Sequence, residues 1–230
     1  MVLHDIKIAP SLLSANFANL ENDIKKCEKG GADIIHIDVM DGNFVPNLTI
    51  GPIVVQAIKP LTKIPLSCHL MINDPGKYIE EFVKAGADSI SVHVEGLVHL
   101  HRTLNLIKSF GIKAGIALNP ATPLNFAYDS ADHCDYILLM SVDPGFGGQK
   151  FIPTFLRRSE KLRNFLLKNN LDHIEIEVDG GVKFDNVEEI VMAGANILVA
   201  GSGLFHGNLI ENIKELRKKA ENARKQSQLF

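Results

Sequence analysis

Four residues of metal-ligand type stand at the ends of short aliphatic runs. They are His36 and Asp38 in IIHIDVM, His69 in LSCHLM, and Asp179 in IEIEVDGG. Two neutral imidazoles with carboxylates suit a borderline divalent ion such as zinc, with iron, manganese or cobalt as alternatives. The same carboxylates could serve as a general acid and base. One inward polar residue on a strand is commonplace. Four ligand-type residues at three strand ends point to a metal or acid/base centre. The bland alternative is a self-satisfied polar core, and it fits other residues better. His93 and Glu95 read as supporting or structural groups, and His99 and His101 as a solvated helix start. His4, His133, His173 and His206 read as surface or boundary positions. Asp41 precedes Gly42 and reads as a turn residue.

Strand alternation decides which side chains share a face. His36, Asp38 and Met40 fall on one side of their run, Ser67, His69 and Met71 on one side of the next, and Glu175, Glu177 and Asp179 on one side of a third. The aliphatic faces must pack on helices, so these polar faces point inward. Cys68 then faces the helices and is packing. Met40, Met71 and Met140 fall inward together and suggest an apolar wall around the centre, although methionine is more commonly gap filler. Glu175 and Glu177 share the lower interior with Lys7 and Lys113. One such lysine is expected to neutralise one such glutamate. Glycines cluster in PGFGGQ at 144–149, at Gly180-Gly181 and in Gly201-Ser202-Gly203. Exposed backbone N–H groups there could cradle an anion. Three such loops together favour a phosphate site over plain tight turns.

The elements that must position these residues repeat along the chain. Gly31-Ala32-Asp33, Gly86-Ala87-Asp88 and Gly194-Ala195-Asn196 each lead into a short apolar run. A glycine that stops a helix before such a run marks the helix-to-strand joint of a parallel sheet. Eight strands are predicted near Ile6, Asp33, Ile64, Asp88, Lys113, Tyr136, Ile174 and Asn196, spaced by about 27 residues, the compact end of (β/α)8 barrels. Helices are predicted over 17–29, 75–85, 97–110, 155–170, 185–192 and 208–220, with weaker ones at 52–59 and 123–131. The fold class is α/β, a single TIM barrel over 1–230 with a frayed polar tail from Glu221 to Phe230. A doubly wound open sheet would want G-x-G-x-x-G after the first strand. The chain has Ala9-Pro10-Ser11-Leu12-Leu13 there.

The chain has 230 residues, 46% hydrophobic and 22% charged, with a formal net charge of −3. This excludes collagen-like, disordered and disulfide-rich classes. It also lacks the basic footprint of a nucleic-acid or anionic-membrane binder. Three cysteines with no C-x-x-C read as reduced thiols. Met1 to Ser14 shows no basic segment leading into an apolar one, and no apolar run reaches the ~18 residues of a membrane span. The expectation is a cytoplasmic protein.

These stretches resemble ribulose-phosphate 3-epimerases over nearly the whole chain. The similarity is carried by Ala9-Pro10-Ser11, HIDVMDGNFVPN at 36–47, His69-Leu70-Met71, ALNPATP at 117–123, MSVDPGFGGQKF at 140–151, EVDGG at 177–181 and AGS at 200–202. The resemblance implies a (β/α)8 barrel that interconverts D-ribulose 5-phosphate and D-xylulose 5-phosphate in the pentose phosphate pathway. It implies His36, Asp38, His69 and Asp179 as metal ligands, with Asp38 and Asp179 as the acid/base pair. It also implies substrate or phosphate contacts at Ser11, His69, Gly145, Phe146, Gly147, Gly148, Gly180, Gly181, Gly201 and Ser202, and assembly into dimers or hexamers. Ser67 stands where members often carry an acid, and Gly203 where alanine is common.

The chemistry agrees with the resemblance. Inverting a carbon beside a ketone needs a proton removed from one face and returned to the other, which two carboxylates provide. A divalent ion would stabilise the enediolate. The 144–149 loop would then be a lid. Rival readings are an epimerase of another ketose phosphate, such as allulose 6-phosphate, and a non-catalytic sugar-phosphate-binding barrel. A decarboxylase or aldol barrel would want D-x-K-x-x-D, which is absent. A Schiff-base aldolase would want an inward lysine at an upper strand end, and Lys7, Lys113, Lys150 and Lys183 are not so placed.

Overall fold

The structure, a computed structural model, describes residues 4–227. Each predicted strand forms within two residues of its expected start. The strands are β1 Lys7–Pro10, β2 Ile35–Met40, β3 Leu66–Met71, β4 Ser89–His93, β5 Lys113–Leu118, β6 Tyr136–Met140, β7 Glu175–Asp179 and β8 Ile197–Ala200. All ladders are parallel, in the order β1-β8-β7-β6-β5-β4-β3-β2. The ring is nearly closed. Its β1–β2 seam is held by a single Ser11–His36 bridge and by the N–H groups of Asp33 and Ile34 on the Ile8 carbonyl. This is a (β/α)8 barrel.

The helices are α1 Leu20–Gly30, α2 Pro52–Ile58, α3 Ile79–Ala85, α4 Leu100–Ser109, α5 Asn125–Tyr128, α6 Thr154–Lys168, α7 Val187–Met192, α8 Ser202–Phe205 and α9 Leu209–Ser227. Gly31, Gly86 and Gly194, the repeated glycines of the sequence, have φ of 84°, 105° and 102°. That left-handed turn ends α1, α3 and α7 and sends the chain into the next strand.

The outward faces of the strands build the main core. Ile35, Ile37, Leu66, Cys68, Leu70, Ile90, Val92, Ile116, Ile137, Leu139, Ile176 and Val178 are fully buried between sheet and helices. Each such aliphatic side chain is worth about 1.5–3 kcal/mol on burial. That shell stabilises the barrel and leaves the interior free to hold polar residues. Among the described residues the interior holds small apolar clusters, one of Ala9, Tyr136, Ile197 and Val199 and another of Met40, Val45 and Met71 at the mouth. The three cysteines are buried and unpaired.

The tail departs from expectation. Instead of fraying at Glu221, α9 continues to Ser227, because its apolar stripe extends to the buried Ala220 and Ala223. Arg224 also donates to the His4 carbonyl, at 2.9 Å. About two turns earlier, Arg217 donates to the carbonyls of Ile6 and Gly31 and to Asp33. The last helix thereby ties the chain entering β1 to the chain entering β2. Residues 228–230 of the expected tail lie outside the described residues, as do 1–3 of the stretch read for a leader.

Candidate active site

Parity along β2, β3 and β7 brings the four ligand-type residues together. Asp38 is the register partner of His69, and Met140 of Asp179. His36 Nε2 lies 3.3 Å from Asp38 Oδ1 and 3.8 Å from Asp179 Oδ2. His69 Nδ1 lies 3.4 Å and 3.6 Å from the same two oxygens. One ligand atom from each residue falls within 4.8 Å of all the others. Both histidines are fully buried, and Asp38 is nearly so.

His36 Nδ1 and Nε2 and His69 Nδ1 are buried without a hydrogen-bond partner, which costs free energy unless something else satisfies them. Four atoms about 2.0–2.2 Å from a common tetrahedral centre stand about 3.3–3.6 Å apart, close to the separations here. The donor set therefore fits a divalent ion. Electrostatics agrees. Burial opposes charge on His36, but Asp38 and Glu177 outweigh it and hold its pKa well above the usual range. Burial likewise pushes Asp38 upward, yet His36 and His69 hold it far below the usual carboxylate range. A field that keeps a proton on a buried imidazole also favours a cation.

Supporting contacts orient the carboxylates. Ser11 Oγ donates to Asp38 Oδ2 at 2.6 Å, so this serine, expected to meet substrate, is engaged by the acid. Thr49 Oγ1 donates to the Asp38 carbonyl at 2.6 Å. Ser141, fully buried, donates to the carbonyls of Asp179 and Gly180. Thr49 and Ser141 escape a reading based on ligand-type residues, since each acts on backbone rather than on a side chain. Glu177 was expected near the floor lysines. Its Oε1 instead lies 3.1 Å from His36 Nδ1. Lys7 and Lys113 both reach Glu175, at 2.6 Å and 3.5 Å, which meets the expected neutralisation. Asp41 is a turn residue, accepting from the N–H groups of Asn43, Phe44 and Asn73.

Above the four residues opens a cleft of about 550 Å³, counting its mouth. Ser11, Asp38, Met40, Met71, Met140, Gly145, Phe146, Gly147, Gly148, Asp179, Gly180, Gly181, Gly201 and Ser202 all line it. His36 and His69 lie at 0% exposure and are absent from its lining. Pro144 and Gln149, the ends of the 144–149 loop, also line it, and Leu13, Ser14, Val142, Val182 and Val199, which were not anticipated, complete the lining. Ser14 could have been found, since it lies three residues after Ser11 across a single 3-10 turn. Among the described residues no lysine or arginine lines the cleft. Gly181 is required where it stands: φ is +65°, and a Cβ would lie 2.7 Å from the Phe151 backbone nitrogen.

A (β/α)8 barrel with paired imidazoles and carboxylates under a glycine-rimmed cleft defines an enzyme of acid/base or metal-assisted chemistry. Sequence comparison makes this specific: the chain belongs to the Ribulose-phosphate 3 epimerase family, whose model matches residues 7–205. The ribulose-phosphate 3-epimerase of Bacillus subtilis (strain 168) is 54% identical over 200 residues, 87% of this chain and 92% of that protein. The chloroplastic ribulose-5-phosphate-3-epimerase of Arabidopsis thaliana is 49% identical over 222 residues, 94% of this chain and 79% of that protein. The chain is thus an isomerase of the epimerase type. Among solved structures, 3-hexulose-6-phosphate synthase from Salmonella typhimurium superposes with a TM-score of 0.69, at 18% identity, over 95% of this chain and 100% of that one. That likeness bears on the fold alone. No described helix is long and apolar enough to cross a membrane.

Proposed function

We propose that this barrel, taken as one domain over 1–230, interconverts D-ribulose 5-phosphate and D-xylulose 5-phosphate, one of Asp38 and Asp179 taking the C3 proton from one face and the other delivering a solvent-derived proton to the opposite face. The observation that carries this reading is the pair of carboxylates on β2 and β7, three strands apart around the ring, facing one cleft. A base on one face of the substrate and an acid on the other invert the carbon. Asp38 is fixed by Ser11, and because the reaction is reversible each carboxylate serves as base in one direction and as acid in the other.

His36, Asp38, His69 and Asp179 would hold a divalent ion, zinc before iron, manganese or cobalt. Such an ion would supply positive charge where the substrate oxygens become negative. Met40, Met71 and Met140 exclude water from the centre. The glycine loops after β6, β7 and β8 present backbone rather than cationic side chains, and would grip the phosphate through N–H groups. Phe146, half exposed at the tip of the 144–149 loop, would cover the substrate.

The test is NMR of ribulose 5-phosphate with the enzyme in D₂O. Deuterium should enter at C3 as xylulose 5-phosphate forms, and both should stop when a chelator strips the metal. Exchange that survives complete metal removal would overturn the metal role. Xylulose 5-phosphate formed without deuterium would overturn the proton-transfer route.

A further inference from the structure

The end of β4 carries two side chains that proton transfer leaves unused. His93 is 1% exposed, and its Nε2 stands 2.9 Å from His69 Nε2. Its Nδ1 stands 3.0 Å from Glu95 Oε2. The other oxygen of Glu95 accepts from the Asn119 N–H at 2.7 Å and from the Thr122 hydroxyl. A line of polar contacts therefore runs from the barrel centre to the loop after β5.

Proton counting fixes the direction of this line. Two imidazole nitrogens 2.9 Å apart hold one proton between them, so one donates and the other accepts. Were the proton on His93 Nε2, a neutral His93 would turn the lone pair of Nδ1 onto the Glu95 carboxylate, and the two would repel. With the proton on Nδ1, His93 donates to Glu95, and its Nε2 accepts from His69 Nε2–H. His69 Nδ1 is then unprotonated where it faces Asp38 and Asp179. With both imidazoles neutral every N–H then has an acceptor, and the His69 Nδ1 lone pair facing Asp38 and Asp179 would be relieved by a cation held among them.

We propose that His93 and Glu95 are positioning residues that hold His69 as its Nε2–H tautomer and aim the Nδ1 lone pair at the metal centre. The inference rests on the metal reading given above. It also separates the two histidines of the centre. A carboxylate faces His36 directly through Glu177, whereas the carboxylate behind His69 acts through a second imidazole. Partners behind metal-bound histidines fix tautomer and ring orientation, and their loss costs about 10–100-fold in metal affinity.

The experiment uses the full chain, zinc ions and ¹⁵N-labelled histidine. Long-range ¹⁵N–¹H spectra of the unmutated protein should show Nδ1–H on His93 and Nε2–H on His69. Zinc affinity, measured by competition with a colorimetric chelator, should fall about 10–100-fold in His93→Phe and in Glu95→Gln. His93→Gln, whose amide can both accept and donate, should recover part of that loss. Nε2–H on His93 would overturn the proposal, and so would unchanged zinc affinity in both variants while the parent binds zinc. A parent that binds no zinc would overturn both this proposal and the metal reading. The tautomer measurement needs no variant, so a poorly folding His93→Phe leaves the proposal open to refutation.

Discussion

Asp38 is held from several directions at once: Ser11 on one oxygen, two imidazoles near the other, and Thr49 on its own carbonyl. A group so fixed tolerates little change. Asp38→Asn and Asp179→Asn should each lower kcat by at least about 10²–10⁴-fold, the usual contribution of a positioned acid or base. A near-normal rate in either would end the two-carboxylate scheme. Ser11→Ala removes one charged hydrogen bond worth about 1.5–3 kcal/mol and should cost roughly 10–100-fold in activity while the fold persists, as steady-state kinetics beside circular dichroism would show. The four ligand-type residues were legible because ligand chemistry restricts residue type and strand parity restricts direction. Glu177 was not. Parity places Glu175 and Glu177 on one face but says nothing of depth. Two residues along a strand span about 6.6 Å, enough to give one glutamate to the floor lysines and the other to His36.

Elements are placed by what they can pack against. The aliphatic outer faces made all eight strands readable, and the repeated glycines made the helix ends readable. The one-turn α8 carries no periodicity to read, and α5 is a single turn inside the weaker helix expected at 123–131, since tertiary contacts rather than propensity fix such short pieces. Close approach inside the barrel is equally invisible in sequence. A Cβ on Gly115 would sit 2.3 Å from Cζ of Tyr136, its register partner on β6. Gly115→Ala should therefore destabilise by about 1–3 kcal/mol or more, and Tyr136→Leu in the same chain should return part of the loss in a denaturant titration. At the floor, burial alone would raise the pKa of Glu175. Lys7 and Lys113 outweigh it and hold it below its ordinary value of 4.5. A carboxylate whose pKa falls on folding stabilises above its unfolded value, and that contribution disappears as pH drops through the folded one. Stability should thus fall with pH below about 4.5, and Glu175→Gln should flatten that part of the curve. An unchanged acid limb in the variant would count against the floor ion pair.

The whole molecule is a ring whose ends must meet, and α9 secures the meeting through Arg217 and Arg224. A tail read as frayed could be deleted without effect. The structure says otherwise: truncation after Ala220 removes the buried Ala223 and the Arg224 contacts, and should lower Tm by about 2–8 °C in a thermal melt. The misreading came from composition, because residues 221–227 are mostly polar and their single inward alanine is a weak signal. The same clasp bears on how the protein is made. Synthesis runs from the N-terminus, and domains fold as their chain emerges. The ladder partner of β1 is β8, the last of the eight strands to be synthesised. Until then β1 is an open strand edge, the feature most prone to pairing with the wrong chain. The barrel cannot close before β8 has been made, so the edge of β1 stays open while the six strands between them are synthesised.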